Sequence, residues 1–194
     1  MKTLTVSNIM SLNPCYSESR VRELWGDRES LTLVEILTLD IPPQDRIWVL
    51  TRDGVCDHNV LLTWVNGVVD RAVRNYCLTC GVPAVEAWAR GWLDGTDRTR
   101  AAAAAAGATR ATTQSAAFAA RAAAYVARAV HAEYAAYYAA DVGHYAARAA
   151  TRSAAIAADA AYATERQKQV DDLIRVLADA MKEEELELGV KNEK

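Results

Sequence analysis

Residues 101–163 read AAAAAAGATRATTQSAAFAARAAAYVARAVHAEYAAYYAADVGHYAARAATRSAAIAADAAYA, and alanine makes up about half of them. Alanine is the strongest helix former, so the tract reads as helix from about Asp97 to about Met181. As one straight rod it would run ~130 Å at 1.5 Å per residue, mostly unsupported. Folding back is therefore expected. Glycine or polar caps mark the candidate breaks at Gly107, Thr112-Thr113-Gln114-Ser115, Asp141-Val142-Gly143 and Thr151-Arg152-Ser153. Alanine faces let helix axes approach closely, which predicts two or three antiparallel helices. From Val170 the pattern turns conventionally amphipathic through Leu173, Ile174, Val176, Leu177 and Ala180. Residues 182–194 (KEEELELGVKNEK) read as a flexible charged tail.

Alanine buries little area, so the capacity for a core lies upstream of the tract. All five tryptophans, all four prolines and all four cysteines precede residue 96. This half reads as short helices with clear punctuation. Ser17 or Ser19 starts one helix and Gly26 stops it. Thr32 and Glu35 have capping-box spacing before Ile36 and Leu37. Pro42-Pro43 opens Gln44–Arg52, and Asp57 caps a longer helix through Leu61, Trp64, Val65, Val68, Ala72, Val73 and Tyr76. Pro83 opens the next, through Val85, Trp88, Ala89 and Trp92, and Gly95 closes it. No alternating strand pattern of useful length occurs. The expected fold is all-α: a small N-terminal bundle of short helices followed by long antiparallel alanine-rich helices. The expected divisions are 1–96, a tryptophan-containing helical domain; 97–181, an alanine-rich hairpin or bundle; and 182–194, the tail.

The net charge of −3 conceals a modulation along the chain. Basic and acidic side chains number 9 and 12 over residues 1–96, 8 and 5 over 97–166, and 5 and 8 over 167–194. Every basic residue of the middle segment is arginine, whose fork suits carboxylate and phosphate. The excess is too dilute for a nucleic-acid footprint, so nucleic acid is not an expected partner. Arg110, Arg121 and Arg128 interrupt the apolar run too often for a membrane helix. The N-terminal residues hold no signal-peptide apolar run, which points to a cytoplasmic protein with reduced thiols.

The segments Val6-Ser-Asn-Ile-Met, Pro14-Cys-Tyr, Arg20-Val-Arg-Glu-Leu, Leu33 to Ile41 with Glu35-Ile-Leu, and Asp45-Arg-Ile-Trp-Val-Leu precede the alanine tract. In this the chain resembles an alanine-rich family of bacterial and phage proteins labelled immunity proteins. The specific part of the likeness lies in the first fifty residues. The resemblance implies binding and blocking of a toxin or other protein, and it brings no catalytic motif. Tryptophan recurs through the alanine repeats of that family. Here Tyr125, Tyr134, Tyr138, Tyr145 and Tyr162 take its place.

One surface stands out within the tract. At 100° per residue Glu133, Tyr137, Asp141, His144, Arg148 and Arg152 form a polar stripe, with Tyr134, Tyr138 and Tyr145 beside it. Tyrosine ridges flanked by arginine and carboxylate have the composition of a protein-interaction hot spot. The competing reading packs these tyrosines inward on the tryptophan half. His144, one turn from Asp141, reads as a surface pair rather than an acid–base couple.

Cys77-Leu-Thr-Cys80 with Cys56 and His58 supplies zinc-type ligands. A shared site would require the intervening helix to break, so these cysteines read as thiols filling gaps, with no metal. No phosphate loop, G-x-S-x-G or HExxH occurs. The threonines keep no regular interval, which excludes an ice-binding face.

The expectation is a non-enzymatic, cofactor-free module binding another protein, a toxin or host factor, through Tyr134, Tyr137, Tyr138, Asp141, His144, Tyr145 and Arg148. The alternative is a nucleic-acid or nucleotide binder using the arginines of the alanine-rich helices. A third reading is a homodimer joined through alanine faces.

Overall fold

The computed structural model of the chain describes residues 2–109, 114–126 and 155–192. Within them the protein is mostly helical, with one small two-stranded sheet. The chain groups into two compact units, Met1–Leu61 with Val170–Lys194, and Leu62–Gln169.

The first unit opens with strand β1 (Thr3–Thr5), which runs directly into α1 (Val6–Ser11). Helix α2 (Glu18–Trp25) follows, then β2 (Ser30–Thr32), α3 (Leu33–Leu37) and α4 (Pro43–Leu50). The strands pair antiparallel, Thr3 with Thr32, Leu4 with Leu31 and Thr5 with Ser30. At three residues each they are too short for alternation to register in the sequence, which is why no strand was expected.

Each strand ends on the threonine that caps the next helix. Asn8 N donates to Thr5 Oγ1 (3.2 Å) while Thr5 N donates to Asn8 Oδ1 (2.9 Å). Glu35 N and Thr32 repeat the exchange at 3.2 and 2.7 Å, completing the expected capping box. Thr3-Leu-Thr-Val-Ser-Asn-Ile-Met and Ser30-Leu-Thr-Leu-Val-Glu-Ile-Leu are thus two copies of one strand–cap–helix unit. The register relates them by an approximate twofold centred on the Leu4–Leu31 pair.

Ser17 caps α2, as the sequence suggests, and Gly26 ends it at φ +58°. Trp25, almost wholly buried, donates from Nε1 to Leu4 O at 3.3 Å. Arg46 straps the α3–α4 connection by donating to Ile41 O and Leu37 O, both at 2.9 Å. Leu31, Ile36, Leu37 and Leu50 are fully buried in this unit, together with Val170 and Leu173.

The second unit takes in most of α5 (His58–Tyr76), then α6 (Pro83–Asp94), α7 (Arg100–Ala108), α8 (Gln114–Val126) and the N-terminal part of α9 (Ala155–Asn192). Asp57 caps α5, its Oδ1 accepting from Asn59 N at 2.8 Å. Gly95 closes α6 in the left-handed region at φ +84°, where a side chain would be strained. Trp64, Val65, Val69, Val73, Val85 and Trp92 form the large-residue part of this core, and Ala89 is buried as well. Helices α7 and α8 pack together, and the buried members they describe are all alanine: Ala103, Ala106, Ala116, Ala119, Ala120 and Ala123. The approach is close. A Cβ at Gly107 would lie 3.3 Å from Ala117 O and 3.6 Å from Ala120 Cβ. Gly107 itself sits inside α7, one residue before its end at Ala108, and Gln114 begins α8.

Candidate interaction site

Tyr134, Tyr137, Tyr138, Asp141, His144, Tyr145 and Arg148 lie outside the described residues, as do Glu133 and Arg152. The described chain leaves off at Val126, the end of α8, and resumes at Ala155, the start of α9. On each side of that interval a polar assembly within the second unit fixes helices to one another.

On the C-terminal side, α9 presents Tyr162, Glu165, Arg166 and Gln169, spaced by three and four residues so that they share one face. Arg166 is only 5% exposed. It donates from Nε and Nη2 to the Tyr162 hydroxyl, both at 3.1 Å, and from Nη1 to Gln169 Oε1 at 3.2 Å. Its guanidinium carbon also lies 5.3 Å from the Tyr162 ring centre. A guanidinium so deeply buried is tolerable only when its donors are satisfied in this way. Gln169 is fully buried, and its main-chain oxygen accepts from Trp64 Nε1 at 2.9 Å. One turn earlier, Glu165 pairs with Arg71 of α5 at 2.8 Å. Burial, and then the negative charge of Glu165, raises the pKa of Tyr76. These contacts set the register of α9 against α5.

Tyr162 is the one tyrosine of the alanine tract whose side chain is described. It is half-buried and serves Arg166. For this residue the observed use is inward packing.

On the N-terminal side, the joint Asp94-Gly-Thr-Asp-Arg-Thr99 connects α6 to α7. Asp94 Oδ1 accepts from Thr96 N and Oγ1 at 2.9 and 2.7 Å, and Asp97 Oδ1 accepts from Thr99 N and Oγ1 at 3.1 and 2.7 Å. The threonine hydroxyls, seconded by the amides, hold both carboxyls below the usual aspartate range. Thr99 in turn caps α7 through Ala102 N. Between these turns Arg98 reaches back to Asp70 of α5 (2.9 Å) and donates to Trp92 O (3.0 Å) while stacking over the Trp92 ring at 5.2 Å. Trp92 Nε1 donates to the other oxygen of Asp70 at 2.8 Å. One carboxylate therefore ties together α5, α6 and the start of the alanine tract. In the sequence the joint shows as Gly95, the helix stop, and as a duplicated Asp-x-Thr.

The cysteines are four free thiols, exposed at Cys15, half-buried at Cys56 and Cys80, and buried at Cys77. Burial pushes Cys56 up to about 11 and Cys77 up to about 12. Helix α5 runs unbroken from His58 to Tyr76, so the break that a shared metal site would require is absent. Among the described residues no group of three or more histidine, cysteine, aspartate or glutamate side chains could hold a metal ion. None of the helices searched among those residues is long and apolar enough to cross a membrane. In the first unit Tyr16 donates to Asp45 Oδ2 at 2.6 Å, which, with burial, raises its pKa to about 12. This bond ties the loop before α2 to the first turn of α4.

Comparison of the chain with protein-family models, with curated proteins and with solved structures finds no match.

Proposed function

We propose that this protein is a non-enzymatic binding module, an immunity-type or phage-encoded inhibitor that acts by occupying another protein in the cytoplasm. Its contact set is Tyr134, Tyr137, Tyr138, Asp141, His144, Tyr145 and Arg148, carried on antiparallel alanine-rich helices beside a small bundle of short helices. The observation that carries the reading is the register of this sequence. Large rigid aromatics recur at three- and four-residue spacing, flanked by arginine and carboxylate, in a tract whose other residues are mostly alanine. Supporting it, the helices on both flanks are pinned by polar contacts, through Asp70 and Arg98 near the surface on one side and through the buried Trp64 and Arg166 on the other. A preorganised frame lowers the ordering cost of binding.

The test is affinity capture from a lysate of the cells that make the chain, comparing wild type with a Tyr134→Ala, Tyr138→Ala, Tyr145→Ala variant of unchanged helicity. One protein retained by wild type, lost by the variant and indifferent to nuclease is the expected result. Retention that vanishes with nuclease, or that survives in the variant, overturns the reading. So does capture of only a second copy of the chain.

A further inference from the structure

Three aspartate or asparagine residues of the chain are followed directly by glycine: Asp53-Gly54, Asn66-Gly67 and Asp94-Gly95. In such a pair the glycine nitrogen can attack the side-chain carbonyl carbon, because no Cβ shields it. The attack needs that amide uncommitted and the side chain free to turn. It also needs a neutral carboxyl, or a side-chain amide, so that water or ammonia can leave. The fold separates the three pairs on these requirements. Asn66 and Gly67 lie inside α5, where the Gly67 amide belongs to the helix ladder and Asn66 Nδ2 donates to Leu62 O at 2.8 Å. Asp94 is exposed, yet Gly95 N donates to Trp92 O at 3.3 Å, and the carboxylate accepts from Thr96 Oγ1 and N at 2.7 and 2.9 Å. The Thr96 hydroxyl, then its amide, hold Asp94 below the usual aspartate range and so away from the neutral form. Asp53 and Gly54 form the centre of an exposed turn that Val55 N closes on Arg52 O at 3.0 Å, with Gly54 at φ +71°. Among the described residues the Asp53 carboxyl accepts no hydrogen bond and joins no ion pair, and the Gly54 amide donates to nothing.

We infer that Asp53 is a site of spontaneous isomerisation to isoaspartate, selected by the fold from among the three pairs. Gly54 N bonds to Asp53 Cγ, and the carboxyl hydroxyl leaves with the amide proton as water, closing a succinimide. Water then adds at the main-chain carbonyl carbon of Asp53 and breaks its bond to Gly54 N. One water leaves, one returns, and no electrons are exchanged. The chain now runs through the former side chain, one methylene longer, and the freed carboxylate is the α-carboxylate. The change falls between α4 and α5, ahead of the buried Val55 and of Asp57, which caps α5. It also displaces Gly54 O, the acceptor that Lys2 Nζ reaches from the start of β1. An α-carboxylate freed in this way is the methyl acceptor of the methyltransferase class that marks isoaspartate for repair, so residue 53 becomes a substrate site for that class.

The test is timed incubation of the full chain at about pH 5, acid enough to leave a fraction of ordinary carboxyls neutral. Peptide mapping with electron-transfer fragmentation, which tells isoaspartate from aspartate, follows residues 53 and 94. The same chain unfolded in guanidinium chloride is the reference, and incubation runs until both residues convert there. In the folded chain Asp53 should convert at a rate close to its unfolded one. Asp94 should fall behind by about tenfold, because two hydrogen bonds to a charged group must open first. Peptides carrying residue 53 from the aged chain should accept a methyl group from S-adenosylmethionine through an isoaspartate-specific methyltransferase. The same peptides from Asp53→Glu, whose side chain is one methylene too long for this ring, should accept none. Conversion at Asp94 as fast as at Asp53 in the folded chain, or an Asp53 that stops converting on folding, overturns the proposal.

Discussion

Trp64 offers the sharpest test of how the second unit is held together. It is 1% exposed, and its indole N–H donates to the main-chain oxygen of Gln169 at 2.9 Å. Trp64→Phe removes that donor and the second ring while keeping an aromatic in place. The Gln169 carbonyl lies within a continuous helix and keeps its place in the helix's own ladder, so the lost bond is worth ~1 kcal/mol rather than the full penalty of an orphaned group. The unfilled ring volume adds ~1–2 kcal/mol, since a packed core collapses only partly around a missing group. The sum is ~2–3 kcal/mol. With a urea slope of ~2 kcal/mol/M, the unfolding midpoint followed by circular dichroism should fall by ~1–1.5 M at unchanged slope. Trp48→Phe is the control. Trp48 is half-buried with Arg52 stacked 5.0 Å over it, and its truncation should cost under ~1 kcal/mol. A Trp64→Phe shift no larger than the Trp48→Phe shift would refute the argument that this indole is an anchor.

Two further outcomes are expected. Thr32→Ala removes the side-chain half of the α3 capping box and should cost ~1 kcal/mol, a melting temperature lower by ~2–4 °C. A melting curve that overlays wild type would show that the cap is redundant with the sheet it adjoins. Tyr16 holds its proton more tightly folded (about 12) than its ordinary 10.0, so its contribution is complete below pH 10 and drains away as pH rises from 10 towards 12. Urea midpoints measured through that window should fall further for wild type than for Tyr16→Phe; parallel falls would remove Tyr16 as the cause.

Local punctuation was legible in the sequence wherever one residue performs the physical act. Ser17, Thr32 with Glu35, and Asp57 accept from orphan amides, Pro43 and Pro83 sit where a missing N–H does no harm, and Gly95 adopts a positive φ. What joins distant segments was not legible. Arg98 meets Asp70 across 28 residues and Arg71 meets Glu165 across 94, and no periodicity records such pairs. The strands escaped notice because three residues cannot display an alternation, although the repeated Leu-Thr before a capped helix at Thr5 and Thr32 was there to be read. Tyr162 taught a different lesson. The sequence leaves a tract tyrosine open to display or to inward packing, and at Tyr162 Arg166 one turn away makes it an internal acceptor. The remaining tract tyrosines rest on register alone, because a helical face can be assigned from spacing while its orientation depends on what packs against it.

The most direct test of the binding reading is a titration of the captured partner, by calorimetry, against wild type and against Tyr138→Ala and Arg148→Ala, at low and at raised salt. A tyrosine-centred protein contact should lose about tenfold or more in affinity on Tyr138→Ala and change little with salt. Affinity within twofold of wild type for Tyr138→Ala, together with a steep fall on raising salt and a large loss on Arg148→Ala, would contradict it and point to phosphate held by the arginines instead.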